Sequence, residues 1–88
     1  MAKDLSVYLV RVVESAEVCA PPHAGWPSVR RSYVAGDWID TSACPYSASP
    51  WIDGMPALST KRFARSVVGE LRRMGVKCKV VRFAEVTT

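Results

Sequence analysis

The sequence predicts a single small α+β domain in which one amphipathic helix packs on a sheet of two or three strands. Three observations support this fold class. Residues 59–75 repeat apolar side chains with helical spacing, residues 5–13 are rich in β-branched side chains, and segment 76–83 begins with apolar and basic residues that alternate from 76 to 80. Because 88 residues suffice for only one hydrophobic core, we treat residues 1–88 as one domain.

The first segment, Leu5 to Val13, contains four valines and a tyrosine among its nine residues. This β-branched content favours a strand, and the nearly continuous apolar character is typical of a strand covered on both faces. The same residues also fit a helical period, with Asp4 as an N-cap. A helix here would give three helices followed by a β-ribbon, which is a winged-helix-like arrangement. We favour the strand.

Residues 19–58 hold all six prolines and all three tryptophans of the chain. This composition predicts irregular structure, above all in the Pro- and Trp-rich segment 40–58. Within the region, residues 29–39 could form a third strand. Alternatively, Pro27 could open a short helix that Gly36 closes. We favour the extended structure.

The triplet Trp-Ile-Asp occurs twice in this region, at 38–40 and at 51–53. In so small a domain we expect Trp38 and Trp51 to cover the edge of the core. If the two side chains were exposed instead, they would indicate a contact for a protein partner, because tryptophan is enriched at binding hot spots.

The most regular segment is the predicted helix 59–75. Ser59 or Thr60 can cap its first amides, and Gly75 suits the left-handed conformation that often ends a helix. At 100° per residue, one arc of this helix is apolar. We expect the helix to pack on the sheet through Phe63, Val67, Leu71 and Met74.

The opposite arc of this helix is basic, and it carries local costs. Its members are Lys61, Arg62, Arg65, Arg72 and Arg73, with Gly69 among them. Like-charged neighbours on one face destabilise a helix by roughly 0.2–0.5 kcal/mol per pair. Cations in the first turn oppose the helix dipole by roughly 0.3–1 kcal/mol each, and a mid-helix glycine costs about 1 kcal/mol relative to alanine. An anionic partner would offset all three costs.

The last strand, residues 76–83, extends the basic surface through Lys77 and Lys79. Charge is spread unevenly along the chain, whose net charge is +4. Residues 1–58 carry four basic and six acidic side chains, whereas residues 59–88 carry eight basic and two acidic ones. Local basicity of this kind is what a nucleic-acid footprint requires.

We therefore expect a non-enzymatic binding protein that engages an anionic partner, with nucleic acid favoured. The expected contacts are Lys61, Arg62, Arg65, Gly69, Arg72, Arg73, Lys77 and Lys79. The alternative is a protein-binding module or small inhibitor that docks on an acidic or nucleic-acid-binding surface of a target. Trp38 and Trp51 would then be its apolar anchor. The small size is typical of accessory proteins that viruses or mobile elements encode.

Other chemistry has little support in the sequence. Metal ligation has one candidate set, namely Cys19, His23, Cys44 and Cys78, but it lacks the paired Cys-x2-Cys spacing of closed zinc sites. We expect buried structural thiols, no metal and no cofactor. We interpret the loop carboxylates Asp37, Asp40 and Asp53 as turn formers rather than as catalytic groups. No apolar run approaches the roughly 18–20 residues of a membrane span, and we expect a cytoplasmic protein with no membrane partner.

Overall fold

The computed structural model of the protein describes residues 6–19, 25, 30–42, 46–52, 54, 56–58 and 60–84. This part of the chain forms six strands and one helix. In chain order they are β1 (Ser6–Val12), β2 (Ala16–Val18), β3 (Arg31–Tyr33), β4 (Trp38–Asp40), β5 (Ser47–Ser49), α1 (Lys61–Met74) and β6 (Cys78–Ala84).

The main sheet is antiparallel and has the strand order β5-β4-β1-β6, and β2 and β3 form a separate two-stranded sheet. β1 pairs with β6 along its whole length, from Ser6 opposite Ala84 to Val12 opposite Cys78. β4 joins the other side of β1, where Trp38 lies opposite Arg11.

The prediction of an α+β fold is confirmed, with corrections to the strands. The main sheet has four strands rather than two or three, and a second sheet is present. The winged-helix alternative is wrong because residues 6–12 form a strand. Residues 29–39 do not give one strand: β3 and β4 belong to different sheets, and a turn at Gly36, with φ +94°, separates them. Segment 40–58, predicted to be irregular, contains β5.

The two faces of the main sheet differ in what covers them. Along β1, Val10 and Val12 are only 1% and 2% exposed and belong to the main core, together with Val67 and Leu71 of α1. Since side chains alternate along a strand, Val7, Leu9 and Arg11 of β1 point to the other side. We call this side, which faces away from α1, the outer face of the sheet.

The helix has the predicted caps. The backbone N–H of Phe63 donates to the hydroxyl oxygen of Thr60 (3.0 Å), and Gly75 adopts a left-handed φ of +99°. The buried helix residues are Ala64, Val67, Val68 and Leu71. Phe63 is 50% exposed, so its predicted packing on the sheet is wrong. The neighbouring Ala64 takes the central position of the buried arc and leaves Phe63 on a flank.

A polar chain ties that flank of α1 to the loops. The hydroxyl of Tyr33 donates to the backbone carbonyl oxygen of Tyr46, and the hydroxyl of Tyr46 donates to the carboxylate of Glu70 (2.6 Å). Both tyrosines are buried. Glu70 therefore lies on the flank of α1 that faces Tyr46, while the opposite flank faces β6.

Candidate nucleic-acid interface

A groove runs between α1 and β6, which lies at one end of the main sheet's strand order. The groove has a volume of about 420 Å³, and we call it the α1–β6 groove. A neighbouring cleft of about 610 Å³ continues it past the C-terminal end of the helix and shares Arg72, Cys78 and Lys79 with it. The groove is lined by Arg65, Val68, Gly69, Arg72, Cys78, Lys79 and Val80.

Two arginines supply the charge on the helix side of the groove. Arg65 and Arg72 are seven residues apart, so they share one flank of α1 and are separated by about 10 Å along its axis. Both are exposed. Within the part of the chain that the structure describes, neither forms an ion pair or a side-chain hydrogen bond. Two neighbouring cations are thus left to solvent on one wall.

Gly69 lies between these arginines and also lines the groove. A Cβ atom placed on Gly69 would meet nothing within 4 Å. Packing inside the protein therefore does not require glycine here. The missing side chain leaves the helix backbone open to close approach from the groove.

The groove floor is uncharged at neutral pH. Cys78 is 3% exposed, and its thiol lies 4.0 Å from the backbone carbonyl oxygen of Val68. Burial raises the pKa of the Cys78 thiol to about 11, although the Arg72 cation acts in the opposite direction. The thiol therefore stays protonated and does not neutralise the arginines beside it.

The remaining predicted cations are not among the described residues that line this groove. Lys61, Arg62 and Arg73 are exposed on α1, and Arg62 and Arg73 lie on the arc opposite its buried residues. Lys77, in contrast, pairs with Glu14 at 3.1 Å. Both side chains of this pair are exposed, and surface pairs of this type contribute little. The basic side chains thus form a band from the groove across the back of the helix.

The outer face of the main sheet carries residues that the sequence patterns did not single out. Trp38 is partly buried there, with its ring centroid 5.6 Å from that of Phe83 and 5.1 Å from the guanidinium carbon of Arg11. Arg11 and Phe83 were missed because only the pairing of β1 with β4 and with β6 brings them to the same face as Trp38. The alternation of residues along the two strands was the one available signal.

The two tryptophans of the repeated triplet have different surroundings. Trp51 is 73% exposed and the next residue, Ile52, is 42% exposed, so the expected cover of the core edge is wrong for Trp51. Trp38 contacts Phe83 rather than Trp51. The structure therefore does not bring the two into one ring cluster.

The two described members of the candidate metal set, Cys19 and Cys78, differ in their exposure to solvent. Cys78 is buried, whereas Cys19 is exposed, so the expectation of buried thiols is wrong for Cys19. His23 and Cys44 lie outside the described residues. Among the described residues, no three His, Cys, Asp or Glu side chains are grouped so that they could hold a metal ion.

Asp40 has the turn role that was expected of it. It accepts hydrogen bonds from the backbone N–H (2.9 Å) and the hydroxyl (2.5 Å) of Ser42, and these bonds lower the pKa of its carboxyl. Asp53, the acid of the second triplet, lies outside the described residues.

No helix in the described part is long and apolar enough to cross a membrane. Comparison with protein-family models gives no match, and neither do comparisons with curated proteins and with solved structures.

Proposed function

We propose that the protein binds nucleic acid through the α1–β6 groove and the basic band of α1. One observation carries the proposal: Arg65 and Arg72 flank an open glycine in a groove that Lys79 also lines, and none of the described residues that line this groove and its neighbouring cleft is acidic. Glu70, the acidic residue within α1, lies on the other flank beside Tyr46.

Phosphates are the partners that this arrangement suits. Exposed arginines bind phosphate oxygens in two-pronged geometry, and a backbone without a side chain admits a sugar-phosphate chain at short range. Contacts of this type position a nucleic acid but read no sequence. We therefore expect non-specific binding, with a dissociation constant of roughly 10⁻⁴–10⁻⁶ M at physiological salt.

The first prediction concerns charge and salt. Wild-type protein should bind labelled duplex and single-stranded DNA in fluorescence anisotropy at ~50 mM salt and lose affinity steeply as salt rises. The Arg65→Ala, Arg72→Ala double variant should bind more weakly. For the duplex, its plot of log K against log salt should be shallower by about 2, because two phosphate contacts are removed at ~0.9 each.

Arg30 offers a matched control for this measurement. It is an exposed arginine that pairs with Glu17, and it is not among the described residues that line the α1–β6 groove or its neighbouring cleft. Arg30→Ala should leave the slope of log K against log salt nearly unchanged. The proposal fails if wild-type protein shows no binding at ~50 mM salt, or if Arg30→Ala reduces the slope as much as the double variant does.

The alternative is a protein-binding module or small inhibitor that docks on an acidic or nucleic-acid-binding surface of a target protein, and one observation favours it: Trp51 and Ile52 are exposed next to each other. Exposed tryptophan is a frequent binding anchor. In this case wild-type protein would capture a specific target that Trp51→Ala does not capture, and neither protein would bind DNA.

A further inference from the structure

The outer face of the main sheet combines aromatic rings with cations. Trp38 comes from β4 and Phe83 from β6, on either side of β1, and their rings meet. Leu9, on the strand between them, is 7% exposed although it does not belong to the main core cluster. We attribute its burial to the ring pair, which joins the strands on either side of β1 on this face. Phe83 itself remains 37% exposed and Val7, opposite it, 44%.

Two cations border these rings. Arg11 lies directly opposite Lys79 in the β1–β6 pairing, and like charges opposite one another destabilise a sheet. The guanidinium of Arg11 is fixed in place, since it lies over the Trp38 ring and donates to the backbone carbonyl oxygen of Gly36 (3.1 Å). Lys79 forms no ion pair with any described residue.

The acidic side chain of this face is already occupied. Among the described strands, Asp40 supplies the one carboxylate on the outer face. It lies on β4, two residues beyond Trp38. Ser42 donates two hydrogen bonds to it. The rings and the two cations are therefore complementary to a partner that is aromatic and negatively charged.

We propose that the outer face binds the unpaired bases of a single-stranded nucleic acid by stacking on Phe83, Trp38 and the Arg11 guanidinium. Aromatic rings and arginine planes are the surfaces on which splayed bases stack. A duplex keeps its base faces inside the helix, so only a single strand offers them. The inference rests on the proposed function, because the same strand's phosphates would lie along the basic groove.

Lys79 connects the two surfaces. It belongs to the outer face by its pairing with Arg11 and also lines the α1–β6 groove. A strand that crosses β6 at this residue can place phosphates beside Arg65 and Arg72 while its bases reach the rings. This continuity favours a nucleic acid over a purely apolar protein surface.

The test separates bases from phosphates. Binding of a labelled oligothymidylate of about 12 nucleotides is compared with binding of an abasic chain of equal length, at the same low salt. Wild-type protein should prefer the oligothymidylate by roughly 5- to 140-fold, the range for stacking on one aromatic side chain. Phe83→Leu should remove most of this preference and leave affinity for the abasic chain unchanged.

Phe63→Leu is the matched control, because Phe63 is an exposed phenylalanine on α1, on the opposite side of the sheet. It should keep the full preference. A second readout leaves Phe83, Trp38 and Arg11 unchanged: with Trp26→Phe and Trp51→Phe, Trp38 is the remaining tryptophan. Its fluorescence should be quenched by the oligothymidylate and not by the abasic chain.

The outcomes distinguish the two proposals. If wild-type protein binds both chains equally, stacking is overturned while phosphate binding stands. If Phe83→Leu keeps the preference and Trp38 fluorescence does not change, stacking on this face is also overturned. If neither chain binds, the proposed function fails and the stacking site fails with it.

Discussion

At the scale of single residues, the buried thiol under the α1–β6 groove has chemistry that its surroundings determine. Cys78 is nearly inaccessible, and desolvation raises the pKa of its thiol to about 11 in the folded protein from 9.0, despite the nearby Arg72 cation. The thiolate is therefore disfavoured in the folded state and formed more easily in the unfolded state.

This shift predicts a loss of stability at high pH. The folded-state pKa is the higher one, so the contribution is fully present below pH 9 and is lost as pH rises from 9 towards 11. Between pH 8 and pH 10 the free energy of unfolding should fall by roughly 1 kcal/mol more in wild-type protein than in Cys78→Ala. Urea unfolding at several pH values measures this difference, and parallel pH profiles would contradict it.

Two glycines of the helix region should respond oppositely to alanine. Gly69 lies inside α1 with open space around a future Cβ, so Gly69→Ala should raise stability by roughly 0.5–1 kcal/mol. Gly75 has φ +99°, which strains any L side chain, and Gly75→Ala should lower stability by about 1 kcal/mol or more. Thermal melting followed by circular dichroism compares the pair. A lower midpoint for Gly69→Ala would show that the glycine has a packing role.

At the scale of secondary structure elements, the N-cap of α1 lies at a helix start where the side-chain charges are unfavourable. Its first turn contains no acidic residue, and Lys61 and Arg62 there oppose the helix dipole. The hydrogen bond from the Phe63 N–H to the Thr60 hydroxyl oxygen supplies a favourable interaction at this end.

Removing that cap should therefore cost stability. Thr60→Ala should lower the free energy of unfolding by about 1 kcal/mol, whereas Thr60→Ser keeps a hydroxyl acceptor and should stay close to wild type. In a domain of this size, 1 kcal/mol corresponds to roughly 4–8 °C in melting temperature. Equal melting temperatures for the alanine and serine variants would contradict the capping role.

The same element was the most predictable part of the fold. Its apolar spacing and both caps are local features, readable from residues 59–75 alone. β4 and β5 have three residues each, so partners elsewhere in the chain define them. The basic side chains of α1 could be predicted as a group because their spacing along one helix is also a local feature. The contact between Trp38 and Phe83 could not, because it depends on a sheet register that no local pattern specifies.

At the scale of the whole molecule, the main sheet depends on pairing between the first and last described strands. β6 pairs with one edge of β1 along seven residues and contributes Cys78 to the core. Val10 and Val12, which pair with β6, are almost fully buried. Each such side chain contributes about 1.5–3 kcal/mol, against a typical total stability of about 5–15 kcal/mol.

A chain that stops at Lys77 should therefore fail to fold. Its amide NMR spectrum should show the narrow dispersion of an unfolded chain. Addition of a synthetic peptide with the sequence of residues 76–84 should restore dispersion, while a scrambled peptide should not. A well-dispersed spectrum from the shortened chain alone would show that β6 is dispensable for the fold.

The β1–β6 ladder also sets an order of events during synthesis. Val12 and its partner Cys78 are 66 residues apart in the chain, which at about 5–20 residues per second separates their synthesis by roughly 3–13 s. During that interval the apolar strand β1 has been synthesised, but β6, which pairs with one of its edges, has not. We therefore expect β1 to remain an uncovered apolar segment of the nascent chain until β6 is available to pair with it.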